Sequence, residues 1–140
     1  MEPWKVYAFL AALFAGLTSI LAKAGLKEVH ADVGLAVRTA FVFVLISSYF
    51  LLSGFSKDLR LLSKPSIAFL FLSAVTTSLS WIFYYRAMKA GTISYVSLID
   101  KGSLLVTIVL SVLIFKEPLT GKTVLGAALM ISGILLITWK

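Results

Sequence analysis

Five long apolar stretches, each separated from the next by a few polar residues, dominate this sequence. They cover about residues 4–22, 33–52, 66–88, 92–115 and 120–139. The hydrocarbon layer of a bilayer is roughly 30 Å thick, so about 20 helical residues, rising about 1.5 Å each, are enough to cross it. The pattern therefore predicts an all-α integral membrane protein, a five-transmembrane-helix bundle forming one domain over residues 1–140. The joints carry helix-ending chemistry. Lys23, Lys27, Glu28, His30 and Asp32 follow the first stretch, and Ser53-Gly54 closes the second. The polar connection Lys57-Asp58-Leu59-Arg60 runs to Lys64-Pro65, and Pro65 suits the first turn of a helix, where a backbone donor is not needed. Gly91 ends the third helix, Lys116-Glu117-Pro118 ends the fourth, and Lys140 is expected as a terminal anchor. Joints this short make successive helices antiparallel neighbours. The first stretch resembles a secretory signal in its Lys5 and its small residues near Ala22. Its apolar run exceeds the usual length of about 7–15 residues, so it is read as a retained helix.

Composition sharpens this picture. Of the 140 residues, 60% are hydrophobic and only 14% charged, against about a quarter charged in ordinary globular domains. So small a core cannot shelter that much apolar side chain, and the excess faces lipid. The net charge of +7 would suggest a nucleic-acid partner in a soluble protein. Here the basic residues are spread between apolar runs, which suits anchors at headgroups and argues against nucleic acid. With no cysteine there is no disulfide or thiol chemistry. His30, the single histidine, falls in a polar joint and is read as solvated. No metal cluster, phosphate loop or nucleophile–base pair stands out, so neither an enzyme nor a cofactor is expected.

Membrane orientation follows the lysine and arginine imbalance between the two sides. On the amino-terminal side fall Lys5, Lys57, Arg60, Lys64, Lys116 and Lys122; on the other fall Lys23, Lys27, Arg38, Arg86, Lys89 and Lys140. Lys101 lies inside the fourth stretch and is left out, and the remaining basic residues balance. Either one or two residues decide the orientation, or the chain inserts both ways and pairs as an antiparallel dimer. Two mirrored five-helix chains would then build a ten-helix, inverted-repeat assembly.

The candidate chemistry lies within the apolar stretches. At about 100° per residue, Asp100, Ser103, Thr107 and Ser111 share an arc of about 80° on the fourth helix, and Ser94, Ser97 and Lys101 widen that side. Asp100 and Lys101 point about 100° apart, so each is expected to need a partner elsewhere, a wet cavity or a shifted protonation state. Two readings stand: the face lines a substrate or ion path, or the helix starts late, near Ile99, and Asp100 sits at the interface. On the third helix Ser73, Thr76, Thr77, Ser80 and Tyr84 share an arc of about 100°, which serves close packing or a cavity wall. Trp81, Tyr84 and Tyr85 suit stacking on a substrate or anchoring at the interface. Arg86 and Lys89 read as snorkelling helix-end cations. Arg38, about a turn and a half into the second helix, either snorkels or serves as an intramembrane cation for Asp100 or an anionic ligand. Ala8, Ala12 and Gly16 on the first helix, with Gly126 and Gly133 on the fifth, read as packing seams.

Several joints carry a resemblance. Phe14-Ala15-Gly16, Arg38, Tyr84-Tyr85-Arg86-Ala87-Met88, Phe115-Lys116-Glu117-Pro118-Leu119-Thr120-Gly121 and the helix bearing Gly126 and Gly133 resemble one half of an EamA-like transporter of the drug/metabolite transporter superfamily. The resemblance covers nearly the whole chain. It implies secondary transport of small metabolites or drug-like organic ions by a homodimer, or by a heterodimer with a second half-length protein. The expected location is the cell (inner) membrane, as a multi-pass protein. The short four-helix multidrug members rely on a glutamate embedded in their first helix, whereas residues 6–22 here hold no acid. The expected path residues are Asp100, Lys101, Arg38, Tyr84, Trp81, Ser80, Thr77, Ser97, Ser103 and Thr107, around a polar cavity lined by helices three and four. The competing expectation is a non-transporting membrane subunit whose polar stripes only hold helices together. The excess of cations favours an anionic or zwitterionic ligand, with an amino acid, a small organic ion and a nucleotide-linked metabolite all open.

Overall fold

The computed structural model describes residues 2–139, apart from the side chains of Ser56 and Lys57; the expected Lys140 anchor and the Lys57 side chain lie outside the described residues. All five expected spans are present as helices long and apolar enough to cross a membrane. In chain order the elements are α1 (Pro3–Gly25), α2 (Ala31–Leu52), a short 3-10 helix (Phe55–Leu61), α3 (Lys64–Ala90), α4 (Ile93–Asp100), α5 (Ser103–Phe115) and α6 (Gly121–Thr138). They group into two compact units, one ending at Ala90 and one starting at Gly91.

In the first unit the joints follow local backbone chemistry. Pro3 opens α1, where its missing donor is no loss. His30 is the N-cap of α2, its Nδ1 accepting from the Asp32 amide at 3.4 Å, so the expected solvated histidine has a structural role. Gly54 adopts the left-handed backbone (φ +75°) that a residue with a Cβ enters only at a cost, and this turns the chain from α2 into the 3-10 helix. α2 packs along α3. The buried apolar residues, Leu26, Ala31, Leu35, Tyr85 and Met88, all gather where the α1–α2 joint meets the last turns of α3. Elsewhere the spans expose their Leu, Ile, Val and Phe side chains. For a soluble chain that surface would drive aggregation; in a membrane protein it is the face for lipid or another chain.

The second unit departs from the expectation of one uninterrupted helix over residues 92–115. The helix neither runs straight through nor starts late near Ile99: it begins at Ile93 and tightens at Lys101-Gly102. There the bonding shifts to a three-residue spacing, Lys101 N–H to Leu98 at 3.1 Å, Gly102 N–H to Ile99 at 2.9 Å and Leu104 N–H to Lys101 at 3.1 Å. The expected stripe of Asp100, Ser103, Thr107 and Ser111 is thereby divided between α4 and α5. Glycine enables the turn, because a Cβ at Gly102 would lie 2.9 Å from the Ile99 carbonyl oxygen. Gly102→Val is therefore expected to cost about 1–2 kcal/mol, read as earlier loss of monodispersity on heating in detergent. α5 ends at Lys116, a non-glycine residue in the left-handed region (φ 54°), and Pro118 blocks continuation. The Thr120 hydroxyl then caps α6 by accepting from the Thr123 amide at 3.2 Å.

Candidate functional site

A cavity of about 470 Å³ opens within the first unit, walled by Leu21 and Ala22 of α1, Val37, Phe41 and Leu45 of α2, and Tyr85 of α3. Its lining is apolar except for Thr18, Arg38 and Tyr85. Arg38 is the eighth residue of α2, about 10 Å along the axis from the start of that helix. Its guanidinium lies over the Trp81 ring, 4.5 Å from the centroid. Trp81 and Tyr85 are four residues apart on α3 and so share the face that meets Arg38. Arg38 Nη1 and the Tyr85 hydroxyl are both buried without a hydrogen-bond partner. No carboxylate among the described residues lies within ion-pair distance of Arg38.

That combination is costly. A guanidinium embedded at membrane depth carries a penalty on the order of 3 kcal/mol, and a cation–π contact returns about 0.5–2 kcal/mol.

The nearby acids and cations are otherwise engaged. Arg86 makes two bonds to the Asp32 carboxylate, Nε to Oδ1 at 3.0 Å and Nη2 to Oδ2 at 2.9 Å. Lys89 donates to the Leu26 carbonyl at 2.6 Å and the Lys27 carbonyl at 2.9 Å, while Lys23 donates to the Met88 carbonyl. Beside the headgroup anchoring expected of them, Arg86 and Lys89 form a latch. Arg86 pairs with Asp32 in the first turn of α2, and Lys89 satisfies carbonyls of the α1–α2 joint that lack intrahelical partners.

The ten expected path residues divide between the units. Arg38, Trp81, Tyr84, Thr77 and Ser80 belong to the first. Of these, Arg38 and Trp81 come together, and Tyr84 donates to the Ser19 hydroxyl of α1 at 2.9 Å. Thr77 and Ser80 lie on the exposed stretch of α3. Ser97, Asp100, Lys101, Ser103 and Thr107 belong to the second unit. Asp100 and Lys101 do find each other, with Lys101 Nζ 3.7 Å from Asp100 Oδ2, which corrects the expectation that adjacent positions keep them apart. The long lysine stem bridges the angular gap. Thr107 donates to the Ser103 carbonyl at 3.2 Å, within its own helix. Thr18 and Ser19 were not singled out in the sequence, and Tyr85 was named there for stacking or anchoring but not among the path residues; its spacing of four from Trp81 is the signal that could have set it on the Arg38 face.

The family model of the EamA-like transporters matches residues 3–139. The chain belongs to the EamA-like transporter family. A protein of Sinorhizobium sp, designated an uncharacterized transporter in the cobO 3' region, is 31% identical over 136 residues, covering 97% of this chain and 96% of its own length. No solved structure matches the chain. Membership of the EamA-like family and the five apolar helices mark an integral membrane protein and support a transport function rather than an enzymatic one.

Proposed function

We propose that this EamA-like chain is one half of a secondary transporter for small metabolites or drug-like organic ions, working as a dimer that encloses a polar cavity. The observation that carries the reading is Arg38 in the lining of an apolar cavity, with its Nη1 buried and without a hydrogen-bond partner, within a chain that matches a transporter family over residues 3–139. The sparse burial of the spans supports a second chain, because lipid alone offers no partner to polar groups at depth. The even division of lysine and arginine between the two sides supports an antiparallel homodimer in the cell (inner) membrane. A heterodimer with a second half-length protein is the alternative pairing.

A second reading, that of a non-transporting membrane subunit, is favoured by the hydroxyl rows. Thr76 donates to the Ser73 carbonyl at 2.9 Å, Ser78 to Ala74 at 2.8 Å, Ser111 to Ile108 at 3.1 Å and Ser132 to Ala128 at 2.9 Å. Such hydroxyls are satisfied by their own helices and need no water-filled path.

Two measurements separate these readings. Proteoliposomes loaded with a panel of organic anions, cations and zwitterions are expected to show counterflow of at least one class; none across the panel would favour the subunit. For orientation, Lys5→Cys and Arg60→Cys, made singly in the cysteine-free chain, are expected to label to roughly half with an impermeant reagent applied to intact cells. Labelling that is complete, or absent, at both positions would remove the mirrored pair.

A further inference from the structure

We propose that the Arg38–Tyr85 cavity is a binding site for a small organic monocarboxylate carrying a compact apolar or aromatic body. As a statement about cargo this rests on the transport reading; as a statement about binding it stands on the cavity.

Charge sets the class of head group. Arg38 and Tyr85 line the cavity, which offers one fixed positive charge and no carboxylate of its own; Arg38 Nη1 and the Tyr85 hydroxyl are enclosed behind its wall without a hydrogen-bond partner, and both are donors that an acceptor reaching them by a small side-chain shift would satisfy. A carboxylate supplies two oxygens in the plane that a guanidinium fork recognises, and a phenol is an ordinary second donor to it. A phosphate dianion brings more charge than one arginine balances, and the lining includes no lysine. An amino acid would bring an ammonium into a wall whose remaining polar side chain is the Thr18 hydroxyl. A buried ammonium there would stay unpaired, so the plain acid is preferred over the zwitterion.

Shape and lining set the body. Val37, Phe41, Leu45, Leu21 and Ala22 make the walls apolar, and about 470 Å³ falls in the ordinary range for small-ligand pockets. Trp81, which is not part of the cavity wall, lies against the guanidinium, its ring centroid 4.5 Å away. That contact orients Arg38 without neutralising it, so the charge remains for the guest.

The test uses the full chain in phosphatidylcholine nanodiscs with Trp4→Phe and Trp139→Phe, so that Trp81, against the guanidinium, is the sole indole reporter. The titrants are 3-phenylpropionate, 3-phenylpropionamide, phenylalanine and phenyl phosphate. 3-Phenylpropionate is expected to change Trp81 emission saturably, and each of the others to need about tenfold or more higher concentration. Arg38→Gln is expected to weaken 3-phenylpropionate about tenfold or more, Arg38→Lys to fall between, since it keeps the charge and loses the fork, and Tyr85→Phe to weaken it about threefold to tenfold. The ligand series on the unsubstituted cavity decides the matter even if Arg38→Gln fails to fold. Equal affinity for acid and amide, or tighter binding of phenyl phosphate or phenylalanine, overturns the proposal. So does an emission change caused by phosphatidylglycerol in the nanodisc with no response to 3-phenylpropionate, which would make the cavity a lipid site. Saturable, arginine-dependent binding without counterflow of 3-phenylpropionate or any other ion would uphold the site and end the transport reading. Counterflow of some other ion that Arg38→Gln leaves intact, with no carboxylate binding, would end the site and leave transport standing.

Discussion

Met88→Ala is expected to destabilise the chain on the order of 2–5 kcal/mol, read as a lower midpoint in denaturant titration in mixed micelles. Met88 is 0% exposed, and among the described residues no other large side chain is completely enclosed. It sits near the end of α3 and, with Leu26, Ala31, Leu35 and Tyr85, makes up the first unit's small set of buried apolar residues. In lipid the transfer gain of burying a side chain shrinks, because the surroundings are also apolar, so packing carries more of the cost. Truncation leaves a void with its contacts unmade. The same turn carries the latch: the Met88 carbonyl accepts from Lys23, and Lys89 reaches the carbonyls of Leu26 and Lys27. A void beneath that turn loosens both sets of bonds. Met88→Leu, of similar volume, is expected to lose less than about 1.5 kcal/mol. If Met88→Ala matches the parent within error, the joint of α1, α2 and α3 is not the anchor of the first unit.

The five spans were legible in the sequence because bilayer thickness demands about 20 apolar residues, a constraint long enough to survive any tertiary detail. Every expected boundary lies within a few residues of the observed one, the largest extensions being three residues at the end of α1 and two at the start of α2 and at both ends of α3, where polar residues such as Lys23, Asp32, Lys64 and Lys89 continue the helix. Side-chain partners were less legible. Arg86 and Lys89 look like headgroup anchors by position, yet the acceptors they find are Asp32 and the carbonyls of the α1–α2 joint, more than fifty residues away in sequence. Helical-wheel geometry also failed at Lys101-Gly102. A wheel assumes about 100° per residue throughout, and three-residue bonding breaks that assumption. For Arg38 the sequence left two readings, a snorkelling cation or an intramembrane one for Asp100 or an anionic ligand, and its contact with the Trp81 face, about four turns before the end of α2, was not legible, because it depends on how α2 packs on α3.

Neutralising one member of the Asp100–Lys101 pair is expected to harm the chain more than neutralising both. The pair occupies the eighth and ninth residues of the Ile93–Phe115 span, about 11 Å into it. Each charge there carries a penalty on the order of 3 kcal/mol when alone, and the 3.7 Å contact offsets part of it for both. Asp100→Asn leaves an unpaired lysine and Lys101→Gln an unpaired aspartate, so each single change is expected to cost about 1–3 kcal/mol. The double change removes both charges and their mutual need, and is expected to return to within about 1 kcal/mol of the parent. The side chains are 37% and 52% exposed in the chain by itself, which gives water, headgroups or a second chain access to them and keeps the single costs toward the lower end. Function then separates from stability. If the pair only fastens the tight turn, the double variant keeps counterflow. If the charges contact a moving ion, the double variant folds, holds its oligomeric state and loses transport. Additive losses from the two single changes would mean that the residues are not coupled, and that the contact between them contributes nothing to holding Lys101 and Asp100 at that depth.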